Sequence, residues 1–165
     1  MRTILVDSRE KTPWTFKRFK CKVRRAKLKV GDYSVYGYKD VIVVERKSFK
    51  DFLSSLKRGT LDRQIEKLAE VERVMILVEG EISGLRYHYF RERYGSMEFY
   101  LKAIADLTAR FRVPIILMPT RTIAESVCFD FLVGAANDAR THIIPCYIRA
   151  ERQAKPNQRK VITDL

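Results

Sequence analysis

The chain is poor in cysteine and histidine, short of acids relative to bases, and without a long apolar run. Its three cysteines, Cys21, Cys128 and Cys146, are odd in number and widely spaced. They form no Cys-x-x-Cys pair, which argues against a disulfide framework and a zinc site and points to a reducing compartment. His88 and His142 stand apart from them. No segment approaches the roughly 18 apolar residues of a membrane span. The N-terminal run Ile4-Leu5-Val6 is too short for a signal peptide. An intracellular soluble protein, cytoplasmic, nucleoid-associated or nuclear according to its source, is the expectation. What is present in excess is positive charge: 33 Lys and Arg against 20 Asp and Glu give +13. Such an excess suggests a polyanionic partner, nucleic acid or an anionic membrane surface, though some basic proteins are merely soluble; without a membrane signal, nucleic acid is the expectation.

A length of 165 residues fits one domain. Ile4 to Val6 reads as a strand ending at Asp7. Residues 17–29 carry eight basic side chains, and Phe19, Cys21 and Val23 alternate with Lys20, Lys22 and Arg24 at the period of a half-exposed strand. Leu28 and Val30 predict another short strand before the Gly31-Asp32 turn. Residues 33–38 and 41–46 predict two strands. Ser48 predicts a helix start, and Gly59 its end. Thr60 is expected to cap a second helix bearing Leu61, Ile65 and Leu68. A buried strand follows at residues 74–78, then a helix capped by Ser96 with Tyr100, Leu101, Ile104, Leu107 and Phe111 on one face. Residues 114–118 form another buried strand, and a last helix runs from Thr122 to about Asn137. Early strands in meander or hairpin order, then strands alternating with helices, imply an α/β domain with a mixed central sheet flanked by helices. The domain is expected over residues 1–150 and a basic tail over residues 151–165.

The apolar run Val41-Ile42-Val43-Val44 passes straight into Glu45-Arg46-Lys47. Lys47 follows Glu45 by two residues, so both point to one face of an extended chain. If the neighbouring strands pair, Asp32 converges on Glu45. Two acids and a lysine on one face suit phosphodiester hydrolysis with Mg²⁺ or Mn²⁺, hard ions that oxygen ligands hold. Asp51, one turn into the following helix, has a capping role open to it beside a role at the site. Val6-Asp7-Ser8-Arg9-Glu10 is a second strand ending in carboxylates, and Gln64 sits in the next helix.

Together these elements resemble the nuclease domain of the XPF, Hef and Mus-type family of structure-specific DNA endonucleases. The family pattern of Gly-Asp followed by Glu-Arg-Lys-x-x-x-Asp is matched by Gly31-Asp32 and by Glu45 to Asp51. The further elements Val6 to Glu10, Ser55-Leu56, Gly59-Thr60-Leu61, Gln64 and Val78-Glu79-Gly80 match as well. The resemblance implies a restriction-endonuclease-like core, in which Asp7, Glu10, Asp32 and Glu45 bind or support the metal. It implies that Lys47 handles the nucleophilic water, that Arg46 contacts phosphate or braces the carboxylates, and that Arg9, Asp51 and Gln64 lie at the site or against DNA. It implies cleavage near branched, flap or junction DNA. Other readings are a scaffold partner that has lost activity and a sequence-reading nicking enzyme. The family's tandem helix-hairpin-helix module has no counterpart here, as in compact nucleases of phages and mobile elements. Basic patches or a further DNA-targeting partner are expected to replace it. The candidates are Lys20, Lys22, Arg24 and Arg25 in one patch and Arg86 and Arg91, interleaved with aromatics, in another. A homodimer is expected through residues 97–137. Ten of the sixteen residues from Thr122 to Asn137 are apolar, more than one buried stripe needs.

Overall fold

In the computed structural model, residues 1–80 and 97–153 are described, with side chains as far as residue 139. Strands β1 (Arg2–Asp7), β2 (Cys21–Ala26), β3 (Tyr33–Val35), β4 (Ile42–Ser48), β5 (Arg73–Glu79) and β6 (Ile115–Met118) form one sheet in the order β2-β1-β3-β4-β5-β6. The β1–β2, β4–β5 and β5–β6 pairs are parallel; β1–β3 and β3–β4 are antiparallel. Helices α1 (Phe49–Lys57), α2 (Leu61–Ala69) and α3 (Met97–Phe111) lie on one face, and α4 (Arg121–Gln153) on the other.

Strand alternation sorts the apolar residues between two cores. Ile4, Val6, Tyr33, Val35, Val44, Met75 and Leu77 pack against Ala124, Cys128, Leu132, Ala136 and Ala139 of α4, an i, i+4 stripe. Val43, Val74, Ile76, Val78 and Ile115 pack against Phe52, Leu53, Ile65, Leu68, Tyr100 and Leu107 of the other helices. Each fully buried aliphatic side chain contributes about 1.5–3 kcal/mol. Strand β4 therefore starts in the core and ends beyond it: Ile42, Val43 and Val44 are fully buried, and Glu45 to Ser48 only partly. No helix among the described residues is long and apolar enough to cross a membrane.

The mixed α/β architecture agrees with the expectation, and several local expectations do not. β1 and β2 are parallel rather than a hairpin. The crossover between them has no helix; it buries Trp14 and Phe16 on the α4 face. Leu28 and Val30 lie outside any strand. Ser48 caps α1, its hydroxyl accepting from the Asp51 N–H. Thr60 makes no side-chain cap; its hydroxyl donates back to the Ser55 carbonyl. The last helix runs past Asn137 to Gln153. Ser96, residues 81–95 and residues 154–165 lie outside the described residues.

Candidate active site

Asp32 reaches the sheet end on a strap, residues 27–31, that links β2 to β3. Gly31 turns the strap at φ +76° with Val43 directly beneath it, so that an added Cβ would lie 2.1 Å from Val43 Cγ1. The strap is tied down by Asp7, whose Oδ2 accepts from the Leu28 N–H at 2.7 Å. Arg9 donates to both oxygens of Asp7 and to the Leu28 carbonyl. Burial would raise the Asp7 pKa, but the Arg9 guanidinium and the two backbone N–H groups outweigh it and hold the carboxyl down at about 2. Asp7 is thus an anchor for the strap, with its oxygens already engaged.

Beyond the strap, the Asp32 N–H donates to the Val44 carbonyl, and Asp32 Oδ2 accepts from the Arg46 N–H at 2.8 Å. This links Asp32 to β4 beside Glu45. Burial pushes both acids up, Asp32 to about 6 and Glu45 to about 8; the Asp32 charge raises Glu45 further, and the charges of Glu10 and Asp7 raise Asp32. Lys47, on the same face, opposes the rise at Glu45. The Lys47 ammonium donates to Gln64 Oε1 at 2.7 Å, so α2 orients it from across the site. Asp51 Oδ2 accepts from the Ser48 hydroxyl at 2.6 Å, the geometry of its capping role.

Arg46 points to the opposite face and braces the site. Its Nε and Nη2 donate to Glu79 Oε1, and its Nη1 donates to Glu10 Oε1 and Thr12 Oγ1. Its guanidinium lies 5.7 Å from the centroid of the Trp14 ring. Glu79 also accepts from the Trp14 indole at 2.9 Å and from Arg121, at the start of α4, at 3.2 Å. Sequence reasoning assigned no role to Glu79, Trp14 or Arg121. One signal was available: Glu79 closes an apolar strand with a charge, as Glu45 does.

The remaining expected contacts divide. Lys20, Lys22 and Arg24 are exposed on or beside edge strand β2. Arg25 Nη1 donates to the carbonyls of Asp7 and Glu10, which gives it a structural task. Arg86 and Arg91 lie outside the described residues.

The four carboxylates Asp7, Glu10, Asp32 and Glu45 do not form a ready-made metal shell; no group of three or more His, Cys, Asp or Glu side chains does so among the described residues. Asp7 is held by Arg9, and Glu10 by Arg46 and Thr12. The pair left over, Asp32 and Glu45, fits a divalent ion. Their charged forms repel and are poorly solvated, which is the condition a cation relieves, and Mg²⁺ characteristically takes one or two carboxylates and keeps waters.

A mixed sheet that brings an acidic pair and a lysine to one end is the arrangement of restriction-endonuclease-like nuclease domains. The chain belongs to the ERCC4 domain family, whose profile matches residues 6–129. Its fold is similar to that of XPF from Aeropyrum pernix. The structure of that protein in complex with DNA gives a TM-score of 0.66 at 27% identity, covering 84% of this chain and 66% of that one. A further structure of XPF from the same organism gives 0.65 at 26% identity, covering 91% and 73%. A protein of Methanocaldococcus jannaschii, provisionally named an ATP-dependent RNA helicase, is 37% identical over 168 residues. That similarity takes in 98% of this chain but 19% of the relative's length.

Proposed function

We propose that this ERCC4 domain is a divalent-metal-dependent DNA endonuclease that cuts phosphodiester bonds near branched, flap or junction DNA. The observation that carries the reading is the partly buried Asp32–Glu45 pair, raised in pKa, with Lys47 on the same strand face as Glu45. The net charge of +13 and the likeness to XPF, one structure of which holds DNA, support a DNA substrate.

Asp32 and Glu45 would hold a Mg²⁺ or Mn²⁺ ion. When bound, such an ion polarises the phosphate and lowers the pKa of water. Lys47, steadied by Gln64, presents an ammonium to the attacking water and to charge developing on the phosphate. Arg46 and Glu79 fix β4 from the opposite face, so that Glu45 and Lys47 keep their direction. Lys20, Lys22 and Arg24 neutralise the backbone of the substrate. A second copy of the chain, docked at the side of the sheet flanked by α3 and α4, completes the reading.

Labelled fork, flap, four-way-junction and linear DNA, incubated with Mg²⁺, Mn²⁺ or EDTA, test it. Cleavage is expected on branched substrates only with metal. Asp32→Ala should cut the rate by roughly a hundredfold or more while DNA binding persists. Binding without cleavage by the unmodified protein would instead make the domain a scaffold, and cleavage undiminished in EDTA would remove the metal from the reading.

A further inference from the structure

Among the described residues, the two halves of one sheet face are covered unequally. Helices α1, α2 and α3 pack on β4, β5 and β6. On the same face of β1, β2 and β3, register and alternation place Leu5 beside Arg24 and Ser34, with Lys22 two residues further along β2. Leu5 is buried but belongs to neither helix-covered core. A groove of about 630 Å³ lies there, lined by Leu5, Arg24, Tyr36, Tyr38 and Lys39 among others. Tyr36 is 63% exposed beside the left-handed turn at Gly37. The side chains of Tyr36, Lys22, Arg24 and Lys39 make no hydrogen bond or ion pair with another described residue. The lining stays positive, with Arg24, Arg25 and Lys39 against Asp40.

Glu45 and Lys47 project from the same sheet face, since they alternate in phase with Val43. Asp7, beside which Asp32 hydrogen-bonds, is two residues beyond Leu5 on β1, about 7 Å along the strand. The groove therefore lies within a few nucleotides of the acidic pair. An exposed ring flanked by free cations is the combination that binds unpaired nucleic acid: the ring stacks on a base and the cations follow the backbone. A duplex hides its base faces and gains nothing from the ring.

We propose that this groove holds an unpaired stretch of the DNA strand, with a base stacked on Tyr36 and phosphates on Lys22, Arg24 and Lys39. The proposal rests on the nuclease reading for its biological sense, yet it is tested apart from cleavage. Fluorescence anisotropy in EDTA compares labelled oligothymidylate with a duplex of equal length, for the unmodified protein and for Tyr36→Ala, Tyr36→Phe and Arg24→Gln. Tyr36→Ala should weaken oligothymidylate binding about tenfold, and Tyr36→Phe should restore it. Duplex affinity should change less than twofold for Tyr36→Ala. Arg24→Gln should reduce the log–log salt slope on the single strand by about 0.7. Unchanged oligothymidylate binding by Tyr36→Ala, or an equal loss on duplex, overturns the proposal. Circular dichroism of each variant separates loss of binding from loss of fold. A protein that binds this way but never cuts would defeat the nuclease reading and leave the groove standing; a nuclease indifferent to Tyr36→Ala would do the reverse.

Discussion

Asp32 and Glu45 are partly buried where their charged forms are unwelcome, and this has a consequence for stability. Their folded pKa values, about 6 and about 8, exceed the model-compound values of 3.8 and 4.5. Well below pH 3.8 both acids are protonated in either state and the burial carries no penalty. As pH rises through the unfolded values towards the folded ones, the unfolded chain releases protons that the folded chain retains, and stability falls. Asp7 has the opposite sign: its folded value of about 2 gives stability present above pH 4 and lost only as the pH drops towards 2. It therefore cannot account for changes between pH 5 and 8. The metal-free protein should melt several degrees lower at pH 8 than at pH 5. Asp32→Asn should remove much of that difference, melting above the unmodified protein at pH 8, because its amide can still accept from the Arg46 N–H. Added Mg²⁺ should raise the melting temperature of the unmodified protein alone. Equal pH dependence in both proteins would show that the pair is not strained. The residues of this pair were legible in the sequence because the signal is local: a glycine turn, a charge at the end of an apolar run, an i, i+2 spacing. Glu79 stood out as part of Val78-Glu79-Gly80, but its bracing role was not legible, because its partners Trp14, Arg46 and Arg121 are 65, 33 and 42 residues away.

The strap from Lys27 to Gly31 is the element that sets Asp32 at the sheet end. Gly31 and Gly37 both have positive φ, +76° and +91°, but only Gly31 has a neighbour in the way. Gly37→Ala would meet nothing within 4 Å and should cost only the backbone strain, about 1 kcal/mol. Gly31→Ala adds a collision with Val43 and should cost roughly 2–4 kcal/mol in a urea titration. It should also reduce cleavage measured where the variant is still folded, since relief of the collision moves Asp32. Equal costs for the two substitutions would show that the strap yields freely. At this scale the periodic elements were readable: α1, α2, α3 and the buried strands follow from spacing and from Ser48. The crossover at residues 8–20 was not, because its shape depends on tertiary contacts. Trp14 and Phe16 are buried there, and the Phe16 N–H donates to Glu125 on distant α4. Thr60 carried the right residue type for a cap but sits in helical φ/ψ, which turns its hydroxyl back towards Ser55.

Over the whole molecule, what was legible is a mixed sheet flanked by helices, with a surplus of apolar surface; where the surplus lies depends on packing. The sequence pattern spread it over residues 122–137, among them Phe129 and Leu132. Leu132 is fully buried against the sheet, and Phe129 stacks on Phe19 at 4.2 Å between ring centroids, so both serve the chain's own core. Among the described residues the exposed large apolar side chains divide: Met1, Val23 and Tyr36 lie on or beside β1, β2 and β3, while Phe99 and Leu101 on α3, Ile116 on β6 and Ile123 in the first turn of α4 belong to elements away from β2. There β6 ends the sheet among the described residues, an edge of the kind that natural proteins protect or pair. Beside it a groove of about 710 Å³ is lined by Phe111, Val113, Phe131 and Ala135 among others. A two-fold axis brings the same patch from both chains together, so one charge introduced there acts twice. Phe99→Glu combined with Ile116→Lys touches side chains that are 58% and 37% exposed, and so should leave the fold intact. Sedimentation at micromolar concentration should give a dimer for the unmodified protein and a monomer for the double variant, with matching circular dichroism. Leu132→Glu should instead unfold the chain, because it places a charge in the core with no partner. An unmodified protein that sediments only as a monomer would exclude the stable homodimer, whereas a double variant that stays dimeric would move the interface away from β6.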